Sequence, residues 1–330
     1  MATDVREHSE TEDHHAPGRE ATKPREVPAR GWFDVLKRTK RSVRDSNLSI
    51  VAAGVAFYAF LALVPALIAV VAIYGLVANP GDVRSQITSF TDALPRDAQR
   101  LLSSQLSSIT RTAGTGTGIA ALLAIAGALW SASSGIAALN TGLTVANREN
   151  ETRGPVKRRL LALVLTIFAI VGVLLMLALV VALPSALDSI DITGIGGTAL
   201  ELARWPLLAG LLLVGLGVIM RYGPQRRRPR WRWITPGAIV AVLVGLAASI
   251  GFSIYVSLLG NYNKTYGALG AVIIMLLWLY LMAFAVLFGA ALNAELERQT
   301  THDTTAGDDA PPGERGAHAA DTVGPTRKEL

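Results

Sequence analysis

The sequence predicts an all-α, polytopic membrane protein: six transmembrane helices, amphipathic interfacial helices and disordered polar tails. Three observations carry this. Residues Thr265–Ala294 run without Asp, Glu, Lys, Arg, His or Pro, and at about 45 Å that is helix enough to cross a hydrocarbon core of about 30 Å. The chain is 51% apolar and only 17% charged, with a mean hydropathy of +0.40, a balance that belongs to membrane proteins. Its charges collect in the tails and short connections, leaving apolar stretches of spanning length between them.

Taken in order, residues 1–30 are rich in Glu, His, Pro, Arg and Thr and read as a disordered tail. Residues 31–47 form a basic amphipathic helix. Trp32, Val35, Leu36, Thr39 and Val43 fall near helical spacing, with Lys37, Arg38, Lys40, Arg41 and Arg44 around them. Such a helix lies on an anionic leaflet. The transmembrane domain is 48–297, with spans at about 48–78, 119–143, 160–183, 205–220, 234–259 and 265–294. Pro65 falls inside span one and removes a helix donor there. Residues 79–117 show two short amphipathic patterns broken at Pro95, an outer cap or a lid over a cavity.

Span two carries Gly127, Ser131 and Gly135 at intervals of four, and span five carries Gly237, Gly245, Ser249, Ser253 and Ser257 in a longer stripe. Span six has Ala285, Gly289 and Asn293 at the same interval. Small residues so spaced let helix backbones approach closely, which places spans two, five and six inside the bundle. Span three, nearly all Leu, Val, Ile and Ala, faces lipid. Residues 298–330 read as a second disordered tail.

Orientation follows from the basic residues. Lys37–Arg44, Arg148–Arg159 and Arg221–Arg232 fall on one side, whereas the other holds only scattered bases such as Arg84, Arg96, Arg204 and Lys264. By the positive-inside rule both termini are cytoplasmic, and an even number of spans agrees. The net charge of +6 is therefore an orientation signal rather than a nucleic-acid patch, and its partners are the bilayer and anionic lipid headgroups at the basic cytoplasmic loops.

Catalytic chemistry finds little material. There is no cysteine, and all five histidines (His8, His14, His15, His302 and His318) lie in the tails. A Ser-His-Asp arrangement or a clustered metal site has no ligands within the spans, so no cofactor, metal or catalytic residue is expected. The candidates for ligand binding or gating are neutral: Tyr58, Pro65, Trp130, Asn140, Tyr255, Tyr262, Asn263, Tyr266, Tyr280 and Asn293. The NYNKTYGALG stretch, Asn261–Gly270, is the densest group, an aromatic belt or a rim for a polar headgroup.

Four separated blocks resemble the YihY/virulence factor BrkB family of bacterial inner-membrane proteins. They are AAGVAFYAFLALVPALIAV (Ala52–Val70), LWSASSGIAALNTGL (Leu129–Leu143), WRWITPGAIVA (Trp231–Ala241) and the long block Tyr262–Glu297. Ala62 departs from the family, which often has Ser before the Leu-x-Pro turn. The resemblance implies a multi-pass protein of the cytoplasmic membrane. Its members have carried the label ribonuclease BN, are linked by name to virulence, and include some suspected of moving lipid-like molecules. The expectation is thus a non-enzymatic transporter or flippase for a lipid or amphipathic small molecule. The alternative is a scaffold that gathers partners through the Arg226–Arg232 cluster and the tails.

Overall fold

The computed structural model describes residues 17–77, 118–182, 195–258, 268–326 and 329. A 3₁₀ turn at Pro24–Glu26 precedes helix α1 (Ala29–Asp45). The long helices are α2 (Leu48–Val77), α3 (Gly118–Ala146) and α4 (Pro155–Leu177), which continues as a π-helical turn at Ala178–Ala182. They are followed by α5 (Ile195–Tyr222), α6 (Trp231–Leu258), α7 (Ala268–Glu297) and the short α8 (His318–Asp321). Among the described residues, helices α2 to α7 are the six that are long and apolar enough to cross a membrane. Among the described residues there is no strand, only an isolated bridge between Pro229 and Thr305. The outer cap expected over 79–117, and Tyr262, Asn263 and Tyr266, lie outside the described residues.

The turns between helices are set by local chemistry. Ser46 closes α1 by donating its amide to Ser42 O, and Asn47, at a φ of 48°, turns the chain directly into Leu48. Asn tolerates this left-handed conformation better than most residues. At the end of α3, Arg148 adopts a φ of 56°, costly for a long side chain, while Glu149 donates its amide back to Thr144 O. Helix α2 runs without interruption through Pro65.

The contacts divide the chain into two units, one drawing on residues 1–57, 138–155 and 213–330, the other on 58–137 and 156–212. The core of the first joins Leu48, Ala52 and Val55 of α2 to Leu143 and Ala146 of α3, with Met220, Ile234, Ala238 and Ala241 behind them. Ala283, Leu287, Ala290 and Ala291 of α7 complete it. Alanines dominate this cluster because the helices pack close. A second cluster sets Val27 and Val35 against Trp233, Leu292 and Leu296. In the other unit, a Cβ at Gly135 would meet Ala62 Cβ at 3.2 Å, and Arg159 lies 4.3 Å over the Trp130 ring.

The structure departs from the sequence expectation at both tails and at α1. Neither tail is disordered where it is described: Thr300 Oγ1 donates to Ala21 O at 2.7 Å, and Thr301 N to Arg19 O at 2.9 Å, so 17–30 and 299–326 fold on one another. Their polar side chains find partners in each other rather than in water, which composition cannot reveal. Helix α5 begins at Ile195, ahead of its apolar stretch of spanning length, Leu202–Tyr222, where the sequence places span four at about 205–220. Trp233 is 1% exposed, within the second cluster, while Trp231 stays outside. Helix α1 is not simply laid on a leaflet, because Arg38, Thr39 and Ser42 are buried against protein. Span three buries Ala162, Leu165, Thr166 and Ile170 and exposes Val164, Val171 and Leu175.

Candidate functional site

The last span approaches α6 without side chains between the two backbones. Gly237 and Gly289 face each other so closely that a Cβ on either would run into the other's carbonyl oxygen. One turn on, Asn293 bridges the same helices: its Oδ1 accepts the Gly237 amide at 2.7 Å and its Nδ2 donates to Ile234 O at 2.9 Å. Both halves of a buried amide are thereby used, which stabilises this register rather than leaving a polar group unpaired. Further along the same seam, a Cβ at Gly245 would meet Met282 Sδ at 3.6 Å, and Trp278 Nε1 donates to Ser249 Oγ at 3.3 Å. Ser253 and Ser257 are exposed, as are Gly127 and Ser131 on α3, where Gly127 has nothing within 4 Å of a built Cβ.

Immediately after Asn293 the helix ends in Ala294-Glu295-Leu296-Glu297, and both glutamates are 1% exposed. Glu295 is held by three arginines. Arg38 Nε reaches Oε2 at 3.2 Å, Arg148 Nη2 reaches Oε1 at 3.4 Å, and Arg298 Nη1 lies 3.0 Å from both oxygens. Arg38 also donates to Glu295 O, to Gln299 Oε1 at 2.6 Å and to Pro325 O at 3.0 Å. Burial lowers the Arg38 pKa and the neighbouring Glu295 carboxylate raises it, while Arg298 and Arg19 add to the lowering. A guanidinium remains charged even so. Glu297 accepts from Arg226 Nη2 at 2.5 Å and from Thr304 Oγ1 at 2.7 Å, and Arg226 Nη1 donates to Asn147 Oδ1 at 3.0 Å.

This ionic hub ties together α1, the α3–α4 connection, the α5–α6 connection, the end of α7 and the C-terminal segment. The segment itself runs along the basic connection: Arg227 N donates to Gly316 O, Arg230 N to Thr304 O, and Ala306 N to Arg228 O. Arg230 pairs with Asp309 at 2.5 Å, and Arg228 sits 4.6 Å over the Tyr222 ring. Much of the Arg226–Arg232 cluster is thus occupied by the chain's own tail. Within that tail, burial raises Asp303, but the Ala310 and Thr305 amides and the Thr305 hydroxyl outweigh it and hold the carboxyl below its ordinary value.

One contact of the tail is set to respond to pH. His318 N donates to Glu149 Oε1 at 2.7 Å. Burial, then Arg298 and Arg148, lowers the His318 pKa from its ordinary 6.5, against Glu295 and Asp321. The unfolded segment therefore binds a proton more readily. His318's contribution is complete above about pH 6.5 and is lost as the pH falls toward its lowered value. Glu149 acts in the opposite sense: burial raises it above 4.5, so its share is lost as the pH rises through the raised value. Amide exchange over 318–322, corrected for intrinsic rates, is expected to be faster at about pH 5.5 than at about pH 8. A His318→Gln variant whose exchange changes equally between those pH values would assign the effect elsewhere.

The neutral candidates among the described residues differ in their surroundings. Tyr58, Trp130 and Tyr255 are about half exposed, Tyr280 packs beside the main core against Phe284, and Asn140 is buried next to Gly223. Sequence reasoning passed over Glu295 and Glu297 because both stand just beyond an uncharged run. Two acids at the basic end of a span, where orientation favours arginine, were the available signal. With both Glu295 oxygens and Glu297 Oε2 facing donors, the arrangement fastens helices. Among the described residues, no group of three or more His, Cys, Asp or Glu could hold a metal ion.

The model of the family described as virulence factor BrkB matches residues 39–314. The putative ribonuclease-like protein YfkH of Bacillus subtilis is 31% identical over 180 residues, 53% of this chain and 65% of that one. A UPF0761 membrane protein of Tolumonas auensis is 36% identical over 106 residues, 32% of this chain and 33% of the relative. The chain thus covers under two thirds of the length of either. UPF0761 membrane protein PSHAa0171 of Pseudoalteromonas translucida is matched more fully, at 27% identity over 287 residues, 83% of this chain and 88% of the relative. No solved structure gives a significant match. Since the family match takes in all six spans together with Glu295 and Glu297, the chain belongs to the virulence factor BrkB family of membrane proteins.

Proposed function

We propose that this is a non-enzymatic protein of the bacterial cytoplasmic membrane, with both termini cytoplasmic, that acts as a transporter or flippase for a lipid or amphipathic small molecule. The observation that carries the reading is the segregation of charge. Leu48–Val77, Gly118–Ala146, Trp233–Leu258 and Ala268–Ala294 hold no Asp, Glu, Lys, Arg or His, while ionic groups gather in the hub beyond Asn293. Proton-coupled carriers place carboxylates or histidines at membrane depth. Neutral spans lined by Ser, Tyr, Trp and Asn suit a cargo with an apolar body and a polar head.

A scaffold that gathers partners through the Arg226–Arg232 cluster draws less support, because Arg226, Arg227 and Arg230 are engaged within the chain. The ribonuclease-like name of the Bacillus relative finds no histidine in the spans to act as an acid or base here. Reconstitution into liposomes with fluorescent lipids of several headgroups is expected to show movement above protein-free vesicles. No movement across the whole panel would count decisively against transport. Cleavage of RNA by protein freed of contaminating nucleases would instead support an enzyme.

A further inference from the structure

Helix α1 reverses the usual distribution of side chains. Its buried stripe holds Asp34, Arg38, Thr39 and Ser42 beside Val35, yet Phe33 and Leu36 are 55% and 49% exposed. Lys37, Lys40, Arg41 and Arg44 are exposed as well. At about 100° per residue, these six residues share one arc of about 140°. Of the helix's two acids, Asp34 is buried and Asp45 pairs with Arg41 at 3.7 Å. The opposite side is committed to Glu295 through Arg38. Only Ser46 and Asn47 separate the helix from Leu48, where the first span begins, so α1 lies where hydrocarbon gives way to headgroups.

An apolar pair among four bases at that depth matches an anionic phospholipid surface. The ring and the leucine enter the acyl boundary while the long basic stems carry their charges to phosphate oxygens. We propose that this face docks α1 on anionic phospholipid of the adjoining leaflet. A soluble acidic partner would satisfy the bases but would not explain the apolar pair at membrane level. The inference rests on the membrane placement and is independent of transport.

The chain has no cysteine, so Leu36→Cys creates a single labelling position. The full chain, carrying a nitroxide there, is placed in nanodiscs of phosphatidylcholine with rising phosphatidylglycerol. Its accessibility to oxygen and to a water-soluble nickel chelate is then compared. Oxygen access is expected to rise and nickel access to fall as the anionic fraction grows, and high salt is expected to reverse the shift. Replacing Lys37, Lys40, Arg41 and Arg44 together by Gln should abolish it. Lipid and salt titrations keep the native charges, so they decide the matter even if that variant folds poorly. A probe that stays nickel-accessible in every mixture overturns the proposal in favour of water or a soluble partner. One that is shielded regardless of lipid charge overturns it in favour of protein contact or purely apolar insertion.

Discussion

Replacing Glu295 by glutamine is expected to destabilise the folded protein by about 3–5 kcal/mol, the range for removing one partner of a buried ion pair. The carboxylate is 1% exposed and is shared by Arg38, Arg148 and Arg298. Its loss leaves three guanidinium groups facing one another with no counter-charge, and Arg38, itself 3% exposed, has no route to water. The reverse substitution is asymmetric. Arg38→Met removes one of three cations and leaves Glu295 with Arg148 and Arg298, so it is expected to cost less despite the hydrogen bonds given up to Gln299 and Pro325. Denaturant unfolding in a mild detergent compares the two. An Arg38→Met variant less stable than Glu295→Gln would show that Arg38's backbone contacts, rather than charge balance, hold the hub together.

Gly289→Ala is expected to cost at least about 1–3 kcal/mol, the usual penalty for overpacking, because the added methyl meets a backbone rather than a side chain that could swing away. It would strike Gly237 O and come within 2.9 Å of Ala241 Cβ, so α6 and α7 must separate along their length. Separation also stretches the Asn293 bridge to Gly237 N and Ile234 O. Gly210→Ala supplies the contrast, since a Cβ there meets nothing within 4 Å and should be neutral or stabilising by about 0.5–1 kcal/mol. Equal melting temperatures for the two variants would mean that the α6–α7 seam yields without cost.

The spans were legible because a membrane helix announces itself by what it lacks: charge, over enough residues to cross the hydrocarbon. The close seam could be read too, since Gly237 and Gly245 on span five, and Ala285, Gly289 and Asn293 on span six, recur at the helical interval. Other positions of the same pattern are exposed, such as Ser257, or have open space beside them, such as Gly127, because spacing marks a face and not what lies opposite. The hub was hidden for a different reason. Arg38 and Glu295 are 257 positions apart, and each alone looks like an ordinary charge at a membrane boundary. The tails were misjudged because Thr300, Thr304, Asp303 and Arg315 are buried by hydrogen bonds to particular partners, a geometric property with no periodicity to betray it.

The distance between Arg38 and Glu295 along the chain also has a consequence for biogenesis. Translation at about 5–20 residues per second separates their emergence from the ribosome by about 13–50 s. Throughout that interval the first helix carries an arginine whose partner does not yet exist, so its polar stripe must stay hydrated while successive spans enter the bilayer. Fastening of the hub is then among the final acts of assembly, and a nascent chain stalled before the last span would present an unmatched cation to quality-control proteases.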